Sequence, residues 1–373
     1  MPTDPRTFEP TLGPQGDHIH VIARLREEVH GGQPWASAFL GPTARVRHTL
    51  AGFRSVALRC PPGALAELEA RSEVAALLPD LRVRGLLDRA AERSSVPPLW
   101  EEGFTGKGVR LAVLDSGIDR GHPDFEGRLA GLEDFTGCGV RDDVGHGTYV
   151  ASAAAGSGEA SRGRYRGAAP AAALLVARVL DSHGQGRMSD VMAGLMWAQA
   201  REARVVVLAL GTEAAGSAGD ALCQAVDQVA ASGVIVCAAA VGAAGGLVSP
   251  ATAARALRVY AYDPAGDLPG ESGPAPEAGA ELAAPGTGVV AARAYGTQAG
   301  RPAGEQYVEG SGASAAAAHV AGVCALLLEA VPGVPPELLA DALRLGGRAV
   351  AGGRRAVSAL AALAELRELA RHR

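Results

Sequence analysis

Leu111-Ala112-Val113-Leu114-Asp115-Ser116-Gly117-Ile118-Asp119 decides how this chain is to be read. Four apolar residues without alternation predict a strand buried on both faces, and Asp115 closes it with a carboxylate before a turn. Strands and helices then alternate. The strand Val109 to Asp115 is followed by a helix from His146, a strand Ala172 to Ala177, a helix Met188 to Ala200, a strand Val205 to Leu210, a helix Asp220 to Ala231 and a strand Val234 to Ala238. This order predicts the α/β class, with a parallel sheet covered by helices on both faces. A dinucleotide-binding fold is the natural competitor. It fails because Asp115-Ser116-Gly117 stands where a glycine-rich phosphate turn would follow the first strand. Leu338 to Leu345 and Val357 to Leu369 read as closing amphipathic helices packed on the sheet, the second with Leu360, Leu363, Leu366 and Leu369 at helical spacing.

Two further stretches carry chemistry. Gly310-Ser311-Gly312-Ala313-Ser314 runs into an alanine run and the apolar segment Val323 to Leu328, so a helix should begin near Ser314. On its first turn the Ser314 hydroxyl would meet unpaired N–H groups and the positive end of the helix dipole, as an acyl-transfer nucleophile requires. The competing reading is a packing helix with a serine N-cap. Gly145-His146-Gly147-Thr148-Tyr149-Val150-Ala151 sets a histidine at the mouth of another small-residue helix. An aspartate, a histidine and a serine on tight element edges can supply an orienting carboxylate, a general base and a nucleophile.

Asp115-Ser116-Gly117-Ile118-Asp119 with His122-Pro123-Asp124, then Gly145-His146-Gly147-Thr148, then the Ser314 stretch ending His319-Val320-Ala321-Gly322, resembles the subtilase family of serine proteases in that family's chain order. The resemblance covers roughly residues 89 to 350 and implies a subtilisin-like fold. It implies endopeptidase activity through Asp115, His146 and Ser314, with an extended polypeptide substrate held between Gly184-Gln185-Gly186 and Ala209-Leu210-Gly211. It requires no cofactor. Asp124 matches a position that ligates calcium in many relatives, and a plain surface aspartate is the alternative.

Composition sets limits. The 373 residues suit one large domain and a small one, with 48% hydrophobic residues for the core. A net charge of −5 gives no reason to expect nucleic acid or an anionic membrane as partner, and no apolar run reads as long enough to span a bilayer. Five cysteines without metal-type spacing fit reduced thiols, and Met1 to Gly16 shows no secretory pattern. The expectation is a cytoplasmic protein, with non-classical export as the alternative.

Residues 1–17 read as a flexible tail and residues 89–373 as the catalytic domain. Between them, residues 18–86 hold strand candidates Ile19 to Leu25, Ser55 to Leu58 and Val74 to Leu78, a helix opened by Pro61-Pro62, and an expected helix between Trp35 and Ala51. That suits a small α/β, ferredoxin-like unit of the split βαβ type. His18 and His20 would share a solvated strand face. Position and size make the unit similar to the family's inhibitory propeptide, with Leu81 to Leu87 as the tail entering the cleft and cleavage expected near Leu86.

The departures from the family are specific. Its oxyanion-binding asparagine is replaced by Gly242, and the chain contains no asparagine at all. In subtilisin that donor is worth about 10²–10³ in turnover. Ala313 and Ala315 to Ala318 flank Ser314 where the family has Thr and a Met-Ala-Thr-Pro type segment. Val241, beside the primary specificity pocket where the family has glycine, should narrow it toward a small residue. Two readings follow: a slow, selective endopeptidase with its own N-terminal domain as inhibitor, or a pseudoprotease that holds a peptide without cutting it.

Overall fold

The computed structural model describes residues 19–26, 44–50, 55–79, 93–212, 221–240, 247–263, 265, 281–350 and 353–372. The expected tail over residues 1–17, His18, the segment Leu81 to Leu87, Val241 and Gly242 lie outside them, as does the side chain of His20. The chain divides into two units, Met1–Gly85 and Leu86–Arg373.

In the first unit the strands are β1 (Ile19–Leu25), β2 (Arg45–Leu50), β3 (Ser55–Cys60) and β4 (Val74–Pro79), with α1 (Leu65–Glu69) between the last two. They form one antiparallel sheet in the order β2-β3-β1-β4. Ile19, Val21, Ala23 and Leu25 point to one side and bury themselves with Val56, Leu58, Leu68 and Val74. The helix expected between Trp35 and Ala51 is corrected: Arg45–Leu50 is a strand. Exposed Arg45 followed by Val46 on the core is the period-two pattern of a half-buried strand. The remainder of that expected helix, up to residue 43, lies outside the described residues.

The second unit continues with α2 (Pro97–Glu101), β5 (Arg110–Asp115), β6 (Leu129–Asp134), α3 (His146–Ala155), β7 (Ala173–Arg178), α4 (Met188–Ala200), β8 (Val205–Leu208), α5 (Ala221–Ala231), β9 (Ile235–Ala239) and β10 (Leu257–Tyr262). Then come β11 (Leu282–Pro285), β12 (Val289–Ala292), β13 (Arg301–Pro302), β14 (Tyr307–Gly310), α6 (Ala313–Ala330), α7 (Pro336–Leu345), β15 (Arg348–Ala349), β16 (Arg355–Ala356) and α8 (Ala359–Arg371). The main sheet runs β15-β16-β11-β10-β9-β8-β5-β7-β6 and is parallel except at β15. β12, β14 and β13 form a small antiparallel sheet.

β5 shows why the sheet needs cover on both sides. Leu111 and Val113 enter one core with α3 and α6, while Ala112 and Leu114 enter the other with α4 and α5. Chain order reverses around β5, with β7 on one flank and β8 on the other, and the crevice beyond the carboxyl ends of such strands is where ligands bind in open α/β sheets.

α6 is the central beam. It lies across β8, β9, β10 and β11 and against α3. Its 18 residues are apolar enough to cross a membrane by length and composition, which corrects the expectation that no apolar run is long enough, and 78% of them are buried inside the protein. Gly322 lets α6 and α3 meet: a Cβ there would stand 2.4 Å from the Ala154 carbonyl oxygen. The closing helices join the core that includes the sheet residues Leu257, Val259 and Leu282. α8 rests on α7 and α6 through Ala359, Ala362, Leu363 and Leu366, and Leu360 is exposed.

Candidate active site

Asp115 ends β5 fully buried, and its Oδ1 accepts the Ser116 N–H at 2.8 Å. His146 opens α3 after Gly145, whose φ of 96° suits glycine and whose missing Cβ would collide with Thr297. The His146 Nδ1 lies 2.8 Å from Asp115 Oδ1 and 3.0 Å from Oδ2. Since a carboxylate can only accept, the ring proton is assigned to Nδ1 and Nε2 is left as the acceptor. The Asp115 charge holds the imidazole above the usual histidine range, burial opposes it, and the hydrogen bond to Asp115 and the charge of Asp142 add to the rise.

Ser314 is the second residue of α6, behind an N-cap at Gly312, so the serine N-cap reading is set aside. Its Oγ donates to the Ala209 carbonyl oxygen at 3.3 Å. Its position on the first turn leaves its own N–H among those with no partner inside the helix.

His146 lines a cleft of about 840 Å³ at the carboxyl ends of β7, β5 and β8. Gly184, Gln185, Gly186, Ala209, Leu210 and Gly211 all line it, so the two segments expected to hold an extended chain share one space with the histidine. Val144, Leu180, Met188, Val191 and Leu222 make it apolar, and Arg187 and Thr212 add polar groups. Ser314 reaches the cleft lining through Ala209.

Asp124 is not a surface residue, which corrects the plain-aspartate reading. It is fully buried, and its carboxylate accepts the Tyr307 hydroxyl at 2.9 and 3.0 Å and the Ala160 N–H at 3.1 Å. Among the described residues no group of three or more His, Cys, Asp or Glu is placed to hold a metal ion. In this structure the Asp124 carboxylate is taken up by a network of protein donors.

Sequence reasoning missed Asp142 and the cleft residues Leu180, Met188, Val191 and Leu222. The signal for Asp142 was present: an acid four residues before His146, at the start of a helix. The cleft residues look like ordinary core positions until the fold places them together.

Residues 106–345 match the Subtilase family. The serine protease AprX of Bacillus subtilis (strain 168) is 32% identical over 298 residues, covering 71% of this chain and 67% of that protein. Subtilisin of Bacillus pumilus is 34% identical over 247 residues, covering 63% of this chain and 82% of the other. Among solved structures, a cold adapted subtilisin-like serine proteinase superposes with a TM-score of 0.59 at 29% identity, over 69% of this chain and 90% of that one.

Proposed function

Because the chain belongs to the subtilase family of serine endopeptidases, we propose that it hydrolyses extended polypeptide segments through Asp115, His146 and Ser314. The observation that carries this reading is the Asp115–His146 contact at a cleft whose lining also includes Ala209, the residue that accepts the Ser314 hydroxyl. In the reaction Ser314 Oγ turns from the Ala209 carbonyl to His146 Nε2 and attacks the peptide carbonyl carbon. Its proton passes to Nε2 and then to the leaving amine, while Asp115 stabilises the imidazolium. Water repeats the sequence on the acyl-enzyme.

The oxyanion would meet the first-turn N–H groups and dipole of α6. With Gly242 in the asparagine position, turnover is expected about 10²–10³ below that of a relative with the full set of donors. Substrate main chain would bind along residues 184–186 and 209–211, with a small residue before the scissile bond because of Val241. The N-terminal unit would act as an intramolecular inhibitor, supported by its position ahead of the catalytic unit and its antiparallel sheet. The Asp115–His146 contact favours an enzyme over a module that only binds.

A fluorophosphonate probe, which needs an activated serine and no known substrate, tests this. Labelling of the full chain that disappears in Ser314→Ala and His146→Ala is the expected result. Silence of the full chain, and again after residues 1–86 are cut away from the folded protein at an engineered site, would overturn it.

A further inference from the structure

The turn that opens α3 is held by one buried carboxylate. Asp142, 1% exposed, accepts the Val144 N–H at 3.2 Å and the Gly145 N–H at 2.7 Å on Oδ1, and the Thr148 N–H at 2.8 Å on Oδ2. Its Oδ1 also accepts the Ser116 hydroxyl at 2.9 Å, and Ser116 Oγ accepts the Gly147 N–H at 3.0 Å. The backbone on both sides of His146 is therefore fixed by Asp142, directly or through Ser116. Ser116 is also the residue whose N–H binds Asp115, so one side chain ties the end of β5 to the start of α3.

Every partner of Asp142 is a donor, which requires an acceptor-only, ionised carboxylate. Burial raises its pKa, and the hydrogen bonds from Thr148, Gly145 and Ser116 oppose that rise. The loop is braced from its other side by buried Arg178, whose guanidinium donates to the Arg141 carbonyl at 2.5 Å and pairs with Asp143 at 2.8 Å. Neither Arg178 nor Asp143 takes part in the Asp142 contacts.

We propose that Asp142, acting through Ser116, is the positioning residue of this site: it locks the His146 turn against the strand end that carries Asp115 and keeps a second negative charge behind the imidazole. The inference rests on His146 being the general base. The charged groups around that ring are Asp115 from β5, Asp142 from the preceding loop, and Arg187, which shares the cleft at the start of α4. The Arg178–Asp143 pair braces the loop.

The test is an NMR titration of the His146 imidazole in the full chain, beside the pH dependence of fluorophosphonate labelling, for wild type, Asp142→Asn and Ser116→Ala. Asp142→Asn should lower the imidazole pKa, move the acid limb of labelling to lower pH and reduce the plateau rate roughly ten- to a hundredfold. Ser116→Ala keeps the charge, so it should lose plateau rate without the large titration shift. An unchanged His146 titration in a folded Asp142→Asn would overturn the proposal, since a merely structural residue lowers the melting temperature and leaves the titration in place. If Asp142→Asn does not fold, a Ser116→Ala plateau equal to wild type overturns it. A wild type that never labels counts against the protease reading alone, because the titration reads the effect of Asp142 without turnover.

Discussion

His146 and Asp115 meet across a gap of 31 residues with Nδ1 2.8 Å from one carboxylate oxygen and 3.0 Å from the other. The carboxylate is wholly buried, whereas the imidazole is 35% exposed, so one partner is sealed in and the other faces the cleft. Asp115→Asn keeps the shape but presents an amide that can donate to Nδ1, which drives the ring proton to Nε2 and blocks acceptance from Ser314. The expected loss is about 10⁴ in kcat, the size such changes have in subtilisin and related proteases. Initial rates on a peptide substrate check this, and a loss under tenfold would contradict it.

The same contact sets the pH range of activity. His146 accepts a proton only when neutral, and the Asp115 charge raises its pKa above 6.5. The acid limb of kcat/KM should therefore lie above pH 6.5 and move down in Asp115→Asn. For stability the sign is opposite: a raised histidine pKa contributes fully below about pH 6.5, and that contribution fades as pH rises through the folded value. Rates and melting temperatures between pH 5.5 and 9 (on the order of one buffer step per half unit) should cross in this way.

A second histidine works in the other direction. His319 on α6 places Nε2 2.5 Å from the Ser94 hydroxyl, and burial lowers its pKa to about 4. The unfolded chain takes up this proton near pH 6.5 while the folded protein refuses it until about 4. Stability is complete above 6.5 and falls by about 3 kcal/mol as the pH drops through that window. Melting temperatures at pH 8, 6 and 4.5 (about three points suffice) should fall several degrees in the wild type and less in His319→Gln. Equal slopes would show that His319 stays protonated or unburied.

What could be read without coordinates follows from the range of each interaction. The helix Met188–Ala200 and the strand ending at Asp115 are local patterns and stand where the sequence placed them. β6 escaped notice because Leu129-Ala130-Gly131-Leu132 shows neither a buried run nor clean alternation, and Gly131 is there to admit Leu175 and Trp197. Asp115 and His146 could be paired by motif, but Asp124 could not be understood without Tyr307, a partner 183 residues away. A half-polar strand and a distant hydrogen bond leave no periodic trace.

The Tyr307–Asp124 bond itself is testable. Tyr307→Phe takes the hydroxyl donor from a fully buried carboxylate and leaves it the Ala160 N–H, at a cost of about 1–3 kcal/mol and roughly 2–4 °C of melting temperature for each kcal/mol. Calcium added to the wild type should leave its melting temperature in place. A rise of several degrees would show that a cation competes with the tyrosine for Asp124.

Gly322 separates packing from chemistry. The helices that carry Ser314 and His146 touch at this point, and a Cβ would stand 2.4 Å from the Ala154 carbonyl oxygen and 2.7 Å from Ala168 Cβ. Neither neighbour can swing aside, because one is helix backbone and the other a methyl in the core. Gly322→Ala should thus push α6 away from α3 and cost about 1–3 kcal/mol from overpacking. The activity loss should be larger than that figure implies, since a shift of about 1 Å between nucleophile and base can cost about 10²-fold. Labelling rates compared with melting temperature separate the two effects. A variant that melts lower but labels at the wild-type rate would mean that the α6–α3 contact does not set the Ser314–His146 distance.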